Sequence, residues 1–157
     1  MDGIPVQIEA VIPFGSLPGT LMSPDTDKEI PIARQQHTID LVFDLHKDDA
    51  AAPVSGTWTV LRPRKAGFIT SVQAWEVGVG TNANNNTVDV TKNGSTVLTA
   101  TIPFNNGDTN NSMKSGTLST SPMPFAADDR IAIVVVKHGS NDGVGLKVRI
   151  KGYYVSA

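Results

Sequence analysis

Two neighbouring stretches, Ile131-Ala132-Ile133-Val134-Val135-Val136 and Val144-Gly145-Leu146-Lys147-Val148-Arg149-Ile150-Lys151, decide the fold class of this chain. In the second, Val144, Leu146, Val148 and Ile150 fall on one side and Gly145, Lys147, Arg149 and Lys151 on the other. That two-residue period is a β-strand with one core face and one wet, basic face. The first stretch is β-branched and has no polar side, so it is a strand that is apolar on both faces. Between them His138-Gly139-Ser140-Asn141-Asp142-Gly143 supplies turn residues, which predicts an antiparallel hairpin pairing Arg130–Lys137 with Val144–Val155. One face of each sheet in a two-layer sandwich normally meets water. A strand without a polar face therefore calls for a second cover, either the chain's own arm or loops or another subunit. Val134 and Val136 are candidate interface residues on that strand, and Tyr153 and Tyr154 join them because tyrosine is at home in interfaces.

The same signals recur towards the N-terminus. Ile39, Leu41, Phe43 and Leu45 alternate with Thr38, Asp40 and Asp44. Thr57–Leu61 follows, closed by Arg62-Pro63, and then Phe68–Val77. Thr87–Lys92 and Ser95–Ile102 flank Asn93-Gly94, the dipeptide that best tolerates the positive φ angles of a type I′ hairpin turn. Gly116–Thr120 is a weaker strand. Helix signals are confined to Asp48–Ala52, which Pro53 stops. The expectation is an all-β chain with an eight-stranded antiparallel jelly-roll-like sandwich over residues 36–157. Residues 1–35 are expected to form an extended N-terminal arm and tether. Five of the ten prolines lie there, at positions 5, 13, 18, 24 and 31. Ile4, Val6, Ile8, Ala10 and Ile12 nonetheless alternate with Pro5, Gln7, Glu9 and Val11, the pattern of an edge strand. Ile4, Val6, Ile8, Ile12 and Phe14 are candidate contacts, either to the body of the same chain or to a neighbour. Residues 15–29 form a turn-rich tether.

Composition agrees with strands. Val and Ile number 28 against 8 Leu in 157 residues. Charged residues make up 18%, below the usual share of about 25%, and Ser, Thr and Asn together number 36. The absence of Cys excludes disulfides, thiolate metal sites and a Cys nucleophile. A net charge of −2 gives no bulk attraction to nucleic acid or acidic membrane. No stretch approaches the roughly 18 apolar residues of a membrane span. Charge is uneven, however. Residues 1–49 carry nine acids and three bases, and residues 50–157 six acids and ten bases. An acidic leading segment could contact a basic neighbour.

No phosphate loop, dinucleotide fingerprint, zinc-protease motif or nucleophile elbow occurs. His37, His46, Asp40 and Asp44 cluster about one strand, but no nucleophile accompanies them, and a solvated strand face accounts for them. The loops 105–111 and 139–143 are rich in oxygen donors, yet each has one Asp, where calcium usually takes several carboxylates. No catalytic, cofactor-binding or metal-binding residue is assigned, and no enzymatic activity is expected. Arg62, Arg64 and Lys65 form the one dense basic group; with Lys147, Arg149 and Lys151 they define a candidate basic contact patch suited to a salt-sensitive protein contact. Without interleaved aromatics it does not suit nucleic-acid bases. Trp58 and Trp75 could stack on sugar rings or fill the core.

From Phe68 to Val155 the chain resembles the small jelly-roll decoration, or cement, proteins of tailed-bacteriophage capsids. The resemblance is carried by the aromatic-ended strand Phe68–Val77, the hairpin Val88–Leu98 about Asn93-Gly94, and the final basic-alternating strand. It is also carried by Ala127-Asp128-Asp129-Arg130-Ile131, which is similar to the small-Gly-Asp-Arg-apolar lead into a late strand of trimeric jelly rolls, with Asp128 where Gly is usual. The resemblance implies a homotrimer on the outer surface of the virion that holds neighbouring major capsid proteins together. It implies no catalytic residues, no cofactor, and no nucleic-acid or membrane partner. The alternative is a phage fibre or tail-tip head that binds host-surface glycan or protein.

Overall fold

The computed structural model describes residues 20–22, 29–31, 37–45, 54–81, 86–138 and 143–155. The candidate arm contacts Ile4, Val6, Ile8, Ile12 and Phe14 lie outside these residues, as does His46. The chain divides into two units, Met1–Arg34 and Gln35–Ala157. In the first, β1 (Thr20–Met22) pairs antiparallel with β2 (Glu29–Pro31), Leu21 facing Ile30 in register. This ribbon falls within and just beyond the stretch expected to be a tether; three-residue strands are too short to show a period.

Among the described residues, the second unit contains ten strands and no helix. They are β3 (His37–Asp44), β4 (Gly56–Leu61), β5 (Gly67–Gly78), β6 (Asn86–Lys92), β7 (Ser95–Thr96), β8 (Ile102–Phe104), β9 (Lys114–Gly116), β10 (Met123–Phe125), β11 (Ile131–Val136) and β12 (Val144–Tyr154). One antiparallel sheet has the order β10-β5-β12-β3, with β9 also on β5. The other has the order β4-β11-β6-β7, with β8 also on β6. The two sheets form a sandwich. Ile69, Val72, Leu146, Val148 and Ile150 from the first meet Val88, Val90, Ile131, Ile133 and Val135 from the second, each at most 1% exposed. Each such side chain stabilises the fold by about 1.5–3 kcal/mol. The alternation in β12 and the apolar run in β11 thus set the two inner faces. The hairpin expected of these two strands does not form: β11 pairs with β4 and β6, and β12 with β3 and β5 in the opposite sheet, so the chain crosses from one layer to the other between them.

The eight expected strands become ten for local reasons. The single expected strand 95–102 breaks into β7 and β8, with an isolated bridge from Leu98 to Leu118 between them. The weak strand expected at 116–120 starts earlier, as β9. β10 was not expected because Pro124 interrupts a three-residue segment; it lies at a sheet edge, where a missing N–H is tolerated. The long strand β5 also changes phase. Lys151 pairs with Ser71 and Gly152 with Ile69, so Thr70 is an extra residue, a β-bulge. Gly67 and Ile69 point inward before it, and Val72, Ala74 and Glu76 after it.

The Asn93-Gly94 turn adopts φ of 53° and 89°, as a type I′ hairpin requires. It is latched to the turn before β11. The Asn93 side-chain amide donates to Asp129 Oδ1 at 2.7 Å, and Asn93 Oδ1 accepts the Arg130 N–H at 2.8 Å. Asp129 Oδ2 accepts the Ala126 N–H at 2.8 Å. These bonds, from Ala126 first and then Asn93, hold the Asp129 carboxyl below its ordinary value. Asp128 has φ of 65°, the left-handed region, which explains why Gly is usual at that place.

Candidate functional site

The outer faces of the two sheets have opposite chemistry. On the first sheet, Asp40 and Asp44 stand four residues apart on β3, with Val42 between them on the same face, and Lys147, Arg149 and Lys151 stand two apart on β12. Antiparallel register sets Asp44 opposite Lys147 and Asp40 opposite Lys151. Lys147 donates to Asp44 at 2.9 Å, and Arg149 grips Asp40 with two bonds of 2.7 and 2.5 Å. The hydrogen bonds from Arg149 lower the Asp40 pKa, and Lys151 adds to the effect through its charge. The Asp40 and Asp44 carboxylates therefore serve as counter-charges on this face. Trp75 lies on the same side, opposite Lys147 and half-buried, whereas Trp58 packs against the core. Tyr153 also faces outward, its ring 5.3 Å from that of Phe68.

The second sheet has a nearly uncharged outer face. β11 contributes Ala132, Val134 and Val136. In register beside them lie Thr59 and Thr57 on β4, and Thr91, Asp89 and Thr87 on β6. Asp89 is the one charged residue on this face among the described residues, and its Oδ1 accepts from Thr96 Oγ1 and from the Val90 N–H, both at 2.7 Å. Ala132 is buried, Val134 is half-buried and Val136 is 40% exposed.

Arg62, Arg64 and Lys65 lie in the β4–β5 connection. With Pro63, His37 and Tyr154 they line a cavity of about 450 Å³. The connection is held at both ends: the Asp128 N–H donates to Pro63 O at 2.7 Å, and the Val155 N–H to Ala66 O at 2.9 Å. Tyr154 forms one wall, its ring packed edge-on against Phe125 with centroids 5.9 Å apart. The six bases grouped together from the sequence are thus divided, three at this cavity and three on the face of β12.

One buried polar group carried no recognised sequence signal. Glu76 is 1% exposed and Asn86 fully buried, and the Asn86 amide donates to Glu76 Oε1 at 2.8 Å across the sandwich. Glu76 Oε2 and Asn86 Oδ1 have no partner. Burial raises the Glu76 pKa, opposed by the Asn86 bond; Asp108 raises it further and Lys114 lowers it. Only the bulge at Thr70 places Glu76 inward. Asp108 itself is tied to Lys114 and accepts the Asn105 N–H at 2.6 Å, and these bonds outweigh burial to lower its pKa. Among the described residues no group of three or more His, Cys, Asp or Glu side chains could hold a metal ion.

No protein-family model and no curated protein matches the chain. Among solved structures, a chain of the cyanophage Pam1 capsid asymmetric unit is similar, with 18% identity, coverage of 88% of this chain and 99% of that one, and a TM-score of 0.48.

Proposed function

We propose that this chain is a structural protein of a bacteriophage virion, a decoration or cement protein that associates as a homotrimer and holds neighbouring major capsid proteins at the outer surface of the shell. The observation that carries the proposal is the contrast between the two sheet faces. One is closed by ion pairs within the chain; the other presents Val134, Val136 and a row of threonines, a surface that loses little on desolvation. The strand order supports a jelly-roll body. β3 pairs with β12, β4 with β11, β5 with β9 and β10, and β6 with β7 and β8, so early strands pair with late ones in nested order. Stabilisation would come from shared apolar area, with several weak contacts per trimer adding by avidity. No catalytic activity and no cofactor belong to this proposal. Its test is sedimentation of the full chain at micromolar concentration, followed by binding to shells of the major capsid protein. A mass of about three times 16.6 kDa together with shell binding is expected. A monomer that ignores shells would overturn it.

A second role, a fibre or tail-tip head that binds host glycan, is favoured by Trp75, which stands on an outer face beside Lys147 instead of in the core. Glycan binding that is lost in Trp75→Ala, with the fold intact, would select this role over the first.

A further inference from the structure

We propose that the cavity lined by Arg62, Pro63, Arg64, Lys65, His37 and Tyr154 is a binding site for an acidic peptide segment. Its carboxylates would pair with the two guanidinium groups and the lysine ammonium, and its methylene stems would pack on Tyr154 and Pro63. The site is independent of the uncharged face of β11. Arg62, Arg64 and Lys65 place three cations within four residues, and among the described residues none of them is in an ion pair. No carboxylate among the described residues lines the cavity. Three other bases of the body are answered by acids: Lys147 by Asp44, Arg149 by Asp40 and Lys114 by Asp108. No other three bases lie so close together in the sequence, and the mutual repulsion of their charges falls when an anion enters.

Two features favour a peptide over a lone small ion. The recess, about 450 Å³, is in the roughly 300–1,000 Å³ range of organic ligand pockets, and its walls include an aromatic ring and a proline. The cations belong to separate side chains spread along a connection anchored through Pro63 O and Ala66 O, so they can meet successive carboxylates without the backbone being reordered. Arginine is suited to this task because its planar fork takes a carboxylate through two parallel bonds. A nucleic-acid strand fits less well: the cations ring a recess, and no stacked row of exposed aromatics runs beside them.

The test is calorimetric titration of the full chain with hexaglutamate, with hexaglutamine and a twelve-residue oligothymidylate as comparison probes. Hexaglutamate should bind and hexaglutamine should not, and binding should weaken as sodium chloride is raised. The triple variant Arg62→Gln, Arg64→Gln, Lys65→Gln should bind at least about tenfold more weakly while keeping its thermal midpoint, since its side chains are exposed. A charge-matched control, Lys137→Gln, Lys147→Gln, Lys151→Gln, removes three positive charges that do not line the cavity and should bind within about twofold of the parent. Equal loss in both variants, retention in the first, no binding by the parent, or tighter binding of the oligothymidylate would each overturn the proposal.

Discussion

Glu76 gives this protein a pH dependence opposite to that of its other perturbed carboxyls. Its buried carboxyl has one hydrogen bond, from Asn86, and its second oxygen abuts Gly143, where an added Cβ would lie 2.5 Å away. Burial raises its pKa above the ordinary 4.5, so between that value and the raised one the folded protein holds a proton that the unfolded chain has lost. Stability from this group is therefore full below 4.5 and declines as pH rises through the folded value. Asp108 facing it reinforces the trend and Lys114 opposes it. Asp129, by contrast, is held below its ordinary 3.8 by the Ala126 and Asn93 bonds, so its contribution is present above 3.8 and is lost as pH falls through the folded value. In urea denaturation across a pH series, Glu76→Gln should match the parent near pH 4 and become progressively the more stable as pH rises. Parallel curves would show that Glu76 is not the group responsible. Asp129→Ala should cost about 1–2 kcal/mol at neutral pH and less in acid, because two bonds to a charged acceptor are lost.

At the scale of the element, the pairing of β5 with β12 concentrates the fold's most demanding geometry at Gly152. A Cβ there would run into the carbonyl oxygen of Phe68 and the Cα of Ile69, backbone atoms that cannot turn aside. Gly152→Ala should cost about 2–3 kcal/mol, since relief requires the bulge at Thr70 to shift. Gly94→Ala offers the comparison: no atom lies within 4 Å of its Cβ, and the cost, about 1 kcal/mol, comes from its φ of 89° alone. Equal losses in denaturant titrations would mean that crowding at the bulge is unimportant. The same strand pair marks how far the sequence could be read. Strands such as β3 and β12 were legible because the two-residue period runs along them, β11 because it is an unbroken, mostly β-branched apolar run, and Asn93-Gly94 because its turn needs rare φ angles. Thr70 was not, because a bulge is defined by the partner's register, and with it went the inward placement of Glu76. The ion pairs of Lys147 and Arg149 were hidden for the same reason. The acids of β3 and the bases of β12 lie more than a hundred residues apart in the sequence, and only register brings them together. The strands β7 to β10 are two or three residues long, shorter than any period can reveal.

At the scale of the molecule, the proposed association depends on which broad face the body can cover without leaving a charge unpaired. The face of β3, β12 and β5 carries Asp40, Asp44, Lys147, Arg149 and Lys151, and covering it would strip water from a set of ion pairs at a cost of several kcal/mol. The face of β4, β11 and β6 asks only for burial of valine methyls and threonine side chains, with Asp89 already accepting two hydrogen bonds. Val136→Lys tests this directly. In an isolated subunit position 136 is 40% exposed, so the lysine can keep its ammonium in water while its stem lies along the sheet, and the fold should lose little. In an assembly that covers β11, the same ammonium would be taken out of water with only Asp89, one register step away and already accepting two hydrogen bonds, to answer it, which costs several kcal/mol per subunit. Sedimentation should therefore show Val136→Lys shifted towards single chains at concentrations where the parent is trimeric, with an unchanged thermal midpoint at high dilution. Lys151→Gln, on the opposite face, should leave the mass alone. If Val136→Lys sediments as the parent does, the face of β11 is not the subunit interface of the proposed assembly.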